Sequence, residues 1–329
     1  MNVAIIGCGL IGLKRMKALS LNDNLLAICD KNINKIKKNT ILPKANLYKS
    51  YYDLLKIKEI ETVIVAVENY QAYQIVIDCL KLNKKVLCEK PLGTNVFQAR
   101  NIFSLSKKLN LPVKVGFNHR YHPAINLAKK YVEDGRIGEI INIRSFYGHG
   151  GRPGMEKEWR SSKKKCGGGE LIDQGIHLID LFRWFCNSEA KRINGEVWNS
   201  FWKIKVEDNA YFNIQMKNKI MCNAHVSWTN WKNEFYFCIF GTKGYIKIEG
   251  LGGSYGQETL EIGIKKKKGG RPEIKSKFFK SKDISWKKEW NEFKSCLKQN
   301  KKINCNANDG LRAMQIIEGI YKSSKNIFF

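Results

Sequence analysis

Asp173 and His177 are the residues whose types and spacing are best suited to moving a proton. On a helix, a four-residue spacing sets both side chains on one face, one turn apart. Imidazole titrates near neutral pH, at roughly 6.5, so a carboxylate beside it makes a proton-handling pair. The pair lies in Cys166-Gly167-Gly168-Gly169-Glu170-Leu171-Ile172-Asp173-Gln174-Gly175-Ile176-His177-Leu178-Ile179-Asp180, three glycines running into an apolar stripe. The same stretch also fits a structural reading, a glycine loop followed by a helix in which His177 is capped or half-buried. A second candidate is Lys90, in Glu89-Lys90-Pro91 at the end of an apolar run.

These residues need elements to position them. Residues 2–6 are a short apolar run ended by Gly7-Cys8-Gly9-Leu10-Ile11-Gly12, and a helical pattern follows. Strand, glycine turn and helix are the context in which G-x-G-x-x-G binds a dinucleotide. Gly7 allows the tight turn, Gly9 lets the backbone approach a pyrophosphate, and Gly12 lets helix and strand pack closely. The N-terminus of the helix, at Leu10 and Ile11, then faces the phosphates. Asp30 closes the next apolar run, 25–29, where an acid accepts bonds from the adenosine ribose and repels a 2′-phosphate. That favours NAD over NADP, and the neighbouring Lys31 weakens the preference. Helices at 52–55, 73–82 and 95–109 alternate with apolar strands at 62–67, 85–88 and 113–117. Such alternation predicts a parallel sheet covered on both faces. Ligands bind beyond the carboxyl ends of its strands, which places Glu89 and Lys90 at the cofactor crevice.

After Phe117 the pattern changes. A polar junction, Asn118-His119-Arg120-Tyr121-His122-Pro123, precedes a helix at 124–134. His119 and His122 have no Cys or acid near them in sequence, so no metal site is expected. A strand at 138–149 leads to a glycine-rich loop, 148–154, and on to Trp159-Arg160. Strands follow at 192–202, 207–217, 219–229, 234–241 and 244–249, which implies a mostly antiparallel sheet. A closing helix at 308–325 begins at Asn308-Asp309. The fold class is α/β, with a Rossmann domain over 1–118 and an α+β domain with an open-faced sheet over 119–329.

The bulk composition narrows the function classes. Hydrophobic residues make up 43% and aromatics 11%, as in a globular protein with a sizeable core. No stretch approaches the ~18 apolar residues of a membrane span, and the N-terminus lacks the basic flank of a signal peptide. The 10 cysteines are scattered without a CxxC pair, as expected of reduced, buried thiols in a cytosol. The net charge of +28 carries a heavy excess of Lys together with Asn and Ile, a joint bias that codon composition also produces. Its densest run, Lys265-Lys266-Lys267-Lys268-Gly269-Gly270-Arg271, reads as a solvated hairpin loop. It lacks the interleaved aromatics of a single-strand nucleic-acid platform.

Together these motifs resemble the Gfo/Idh/MocA oxidoreductases, over nearly the whole chain. The resemblance rests on the glycine turn, Glu89-Lys90-Pro91 and the 167–180 stretch. It extends to Glu207-Asp208-Asn209-Ala210, Gly241-Thr242-Lys243-Gly244, Asp309-Gly310-Leu311, Ile316-Ile317-Glu318 and Tyr321. It implies a cytoplasmic, dimeric or tetrameric enzyme using NAD(H) or NADP(H) on sugars, nucleotide-linked sugars or cyclitols. Lys90, Asp173 and His177 fall on the family's catalytic positions. There His177 would act as general acid/base, Asp173 would orient it or the substrate, and Lys90 would stabilise charge on the reacting oxygen. Many members carry Thr-Pro-Asn and then a His after the third strand. Here the stretch reads Val67-Glu68-Asn69 with Ala72 at the His position, so the cofactor contacts of Val67 and Asn69 are in question. Arg120, Arg152, Trp159 and Arg160 are expected at the substrate, and the three arginines would suit the phosphates of a nucleotide-sugar. A cofactor sensor without turnover is the other reading that the altered loop allows.

Overall fold

A computed structural model describes residues 1–33, 45–280 and 282–324. By internal packing the chain divides into two compact units. The first takes Met1–Phe117 and Trp286–Met314, and the second takes Asn118–Ser285 with the chain from Gln315 onward.

In the first unit, β1 (Asn2–Ile6), α1 (Leu10–Ala18), β2 (Asn24–Cys29) and β3 (Asn46–Tyr48) precede α2 (Tyr51–Leu55) and β4 (Thr62–Val65). Then come α3 (Asn69–Lys81), β5 (Lys85–Cys88), α4 (Val96–Leu109) and β6 (Val113–Val115). The six strands pair in the order β3-β2-β1-β4-β5-β6, every pair parallel. Val3, Ala4, Ile5, Val63 and Val65 are fully buried, as strands covered on both faces must be. The strand order reverses between β1 and β4, the point at which doubly wound sheets bind ligands.

The second unit opens with α5 (Pro123–Glu133) and β7 (Ile140–Gly148), then α6 (Lys163–Cys166) and α7 (Ile176–Cys186). Seven more strands follow: β8 (Ala190–Trp198), β9 (Asn209–Met216), β10 (Met221–Ser227), β11 (Glu234–Gly241), β12 (Gly244–Glu249), β13 (Glu258–Ile264) and β14 (Glu273–Phe279). The sheet order is β14-β13-β12-β11-β7-β10-β9-β8, antiparallel except for β7 with β10. Alternation along the strands buries Ile143, Phe235, Phe237 and Phe212, with Phe212 and Phe237 against Phe182 and Phe185 of α7. The opposite face exposes Tyr211, which stacks on His225 at 3.8 Å. Residues 265–271 are an exposed connection between β13 and β14.

Two helices close the chain, α8 (Ser285–Gln299) and α9 (Ala307–Ser323). The sequence pattern predicts one unbroken second domain from residue 119 to 329, but Trp286–Met314 instead packs with the first unit. The cause is an apolar stripe on α8, where Trp290 and Phe293 are buried against Val3, Ile5 and Ile28. The Trp290 indole donates to Asp23 Oδ2 at 2.7 Å. The start of α9 is fixed by Asn306, whose Oδ1 accepts from the amide of Asn308 at 2.9 Å, so the cap lies two residues before the predicted one.

Candidate functional site

In the first unit the glycine turn has the geometry its sequence requires. Gly7 sits at φ +91°, and a Cβ there would lie 2.4 Å from the Ala66 carbonyl oxygen. A Cβ on Gly12 would lie 1.9 Å from the Gly7 oxygen, so helix and strand meet only because both are glycine. Gly9 has nothing within 4 Å of its Cβ direction, and among the described residues no side chain caps α1 there. An open glycine backbone at an uncapped helix N-terminus is a phosphate cradle. Leu10 is exposed and Ile11 half-buried beside it. Asp30 follows β2 and ties down the turn: its Oδ2 accepts from the Cys8 amide at 2.7 Å and its Oδ1 from the Asn32 amide at 2.8 Å. Lys31 is exposed.

The loop after β4 differs from the common family pattern without losing its place. Val67 packs against Gly7, Glu68 precedes α3, and Asn69 and Ala72 are buried. Glu89, expected at the cofactor, takes part in an ion pair. Its Oε1 accepts from Arg15 Nε at 2.5 Å, and Arg15 Nη1 pairs with Glu289 of α8. Arg15 is only 1% exposed, and a buried guanidinium demands carboxylate partners. Burial pushes the Glu289 carboxyl up, with Arg15 opposing. Lys90, the next residue after Glu89, is half-buried at the end of β5.

In the second unit the triple glycine is a requirement of close packing. A Cβ on Gly168 would lie 1.9 Å from the Tyr321 hydroxyl, and one on Gly169 would lie 1.9 Å from the Glu207 carbonyl oxygen. Glu207 then binds the turn that follows. Its Oε1 accepts from the amides of Gly169 at 2.9 Å and Leu171 at 3.2 Å and from Tyr321 Oη at 2.6 Å. The chain continues not as a regular α-helix but as a π-helical turn, Leu171–Gly175, before α7 begins at Ile176. The predicted face shared by Asp173 and His177 therefore changes, because π-helical bonds reach five residues instead of four. Asp173 lies in the wide turn with its side chain 23% exposed, and its Oδ2 is 3.6 Å from Arg160 Nε. His177 is buried, its ring stacked on His119 at 3.8 Å and 23°. Tyr147 edges onto both imidazoles.

Two of the expected substrate arginines are committed elsewhere. Arg120 is 5% exposed and forks onto Asp180, with Nε and Nη2 at 2.7 and 2.5 Å from its oxygens. Arg152 forks onto Glu158 at 2.6 Å on each arm. Arg160 stays beside Asp173, over the ring of Trp159. The structure adds residues that sequence reasoning did not place here: His119, Tyr147, His149, Gln174, Glu207 and Tyr255. His149 Nδ1 accepts from the Gly151 amide, and burial lowers its pKa while Asp173 raises it. The alternation of β7 already points Tyr147 inward, and Gln174 lies beside Asp173 in the same turn; His119, Glu207 and Tyr255 are brought in by pairings distant in sequence. Among the described residues no cluster of three His, Cys, Asp or Glu is arranged to hold a metal ion.

A parallel sheet with an open glycine cradle is the architecture of a dinucleotide-binding unit. Comparison with known proteins agrees. Residues 1–117 match the model of the oxidoreductase family, NAD-binding Rossmann fold, and residues 125–247 match the GFO/IDH/MocA C-terminal domain. The chain belongs to the GFO/IDH/MocA oxidoreductase family.

Its relatives include the inositol 2-dehydrogenase/D-chiro-inositol 3-dehydrogenase of Lactiplantibacillus plantarum, 31% identical over 58% of this chain and 54% of that protein. The levoglucosan dehydrogenase of Pseudarthrobacter phenanthrenivorans is 34% identical over 38% of this chain and 33% of that protein. The glucose-6-phosphate 3-dehydrogenase of Bacillus subtilis is 27% identical over 68% of this chain and 67% of that protein. The match thus spans about half the length, or less, of the first two relatives. Among solved structures, a levoglucosan dehydrogenase in complex with NADH and L-sorbose superposes with a TM-score of 0.88 at 21% identity, covering 98% of this chain and 96% of that one.

Proposed function

We propose that this protein is an NAD-dependent dehydrogenase of a ring polyol, a sugar or a cyclitol. The observation that carries the reading is the pairing, within one chain, of the open glycine cradle with the Asp173–His177 turn. Bound at the cradle, a nicotinamide cofactor would accept the hydride from the substrate carbon. The chain's own part is the proton and the charge. His177 takes the proton of the reacting hydroxyl, Asp173 orients the imidazole or a neighbouring hydroxyl, and Lys90 hydrogen-bonds the reacting oxygen. Asp30 supports NAD over NADP by charge, since a 2′-phosphate would meet a carboxylate.

The substrate reading turns on the arginines. With Arg120 held by Asp180 and Arg152 by Glu158, two of the groups expected to grip a nucleotide-sugar are already paired. That favours a neutral ring polyol. The names of the relatives, which include inositol and levoglucosan dehydrogenases, support the same class. The ten cysteines are all buried thiols outside any disulfide, which suits a reducing cytoplasm. The open sheet face exposes Tyr211 and carries Trp198 stacked over it at 5.5 Å. A second copy of the chain is the partner we assign to it.

The test is a turnover screen with NAD and NADP against myo-inositol, levoglucosan, glucose 6-phosphate and a nucleotide-sugar. The reading predicts NAD-linked oxidation of a neutral polyol. Tight NADH binding with no turnover on the whole panel would support the sensor reading instead, and light scattering reports the oligomer.

A further inference from the structure

We propose that Gln174 and Tyr255 form a hydroxyl-recognition subsite for the ring polyol, next to Asp173. The inference rests on the dehydrogenase reading and gives its substrate site a donor and an acceptor that belong to this chain.

Tyr255 is carried on a loop flanked by glycines. Gly250, Gly252, Gly253 and Gly256 all have positive φ, from +55° to +79°, and the Gly252 amide closes the loop on the Gly256 oxygen at 2.9 Å. A loop so shaped can set a tyrosine hydroxyl where a regular strand could not. Tyr255 Oη accepts from Gln174 Nε2 at 2.7 Å. The ring of Tyr147 lies 5.2 Å away, edge-on. A phenol oxygen that accepts from an amide N–H retains its own proton to donate.

Gln174 sits one residue after Asp173 in the π-helical turn and is 8% exposed. Its amide nitrogen is used by Tyr255, and its Oε1 is buried with no hydrogen-bond partner among the described residues. A buried carbonyl oxygen left unmatched costs stability, so its retention calls for a functional reason. An alcohol supplies one, because a hydroxyl donates one bond and accepts others. One hydroxyl, or two on adjacent ring carbons, would give its proton to Gln174 Oε1 and accept from Tyr255. A site built this way rejects a deoxy analogue far more strongly than an apolar pocket would.

The test compares the wild-type protein with the double variant Gln174→Met/Tyr255→Phe. Replacing both partners by apolar groups of similar shape is near neutral for folding. The proposal therefore predicts a melting temperature equal to or above that of wild type. It predicts NADH affinity unchanged, and kcat/KM for myo-inositol, or whichever panel polyol wild type oxidises, reduced about 100-fold. A merely structural pair would give the reverse, a lowered melting temperature with kcat/KM retained, and that result overturns the subsite. If wild type oxidises no polyol, the dehydrogenase reading fails on its own. The melting temperatures then still decide: a loss on double replacement overturns the subsite, and no loss supports its selection for binding rather than folding.

Discussion

The rings of His119 and His177 lie 3.8 Å apart, centroid to centroid, and 23° from parallel. The stack joins the junction that opens the second unit to the first turn of α7. It leaves the imidazole of His177 little freedom to turn. Tyr147 packs at 5.3 Å from His119 and 6.5 Å from His177, closing the group from a third side.

If the stack orients His177, its loss affects chemistry more than binding. His119→Leu is expected to lower kcat about tenfold, roughly the effect of a misoriented general base. NADH affinity, measured by fluorescence titration, should not change. His119→Phe, which retains a flat ring, should recover most of the rate.

Glu207 holds the entrance to the Leu171–Gly175 turn through one oxygen that accepts from three donors. Glu207→Ala leaves those donors buried without an acceptor and is expected to cost about 3 kcal/mol. Tyr321→Phe removes one donor and should cost about 1 kcal/mol. Urea unfolding of the two variants checks the ratio, and equal costs would show that the backbone contacts contribute nothing.

His225 gives the fold a predicted weakness to acid. Burial lowers its pKa from 6.5 to about 4. The unfolded chain thus binds the proton more readily, so the stability from keeping the ring neutral is present above 6.5 and is lost as pH falls toward 4. His225→Phe keeps a ring against Tyr211 and Trp198 and removes the titration. Its urea midpoint should fall less than that of wild type between pH 7 and pH 5. Parallel losses would contradict this.

What could be read in the sequence depended on whether the cause was local. Gly7 and Gly12 were legible because each answers a close backbone approach at the turn, and Gly9 because it leaves the helix N-terminus open. The 167–180 stretch was legible as a glycine turn leading into a helix, but the π-helical turn that carries Asp173 was not. Glu207, which holds the entrance to that turn, comes from the segment just before β9. Arg120 looked available because its partner Asp180 lies on α7, beyond β7 and the 148–154 loop. Helix α8 was hidden by its lysines, although Trp286, Trp290 and Phe293 already had the spacing of an apolar stripe.

The central claim is that Lys90 and His177 serve the reaction itself. Single-turnover formation of NADH, followed by absorbance with enzyme in excess over the oxidised polyol, tests it most directly. Lys90→Ala and His177→Ala should each slow that step by about 100-fold or more, the size of a lost general acid/base or charge stabiliser. Cofactor dissociation constants should stay within about threefold of wild type, since neither role contributes to the phosphate cradle. Near-wild-type single-turnover rates in both variants would contradict the account.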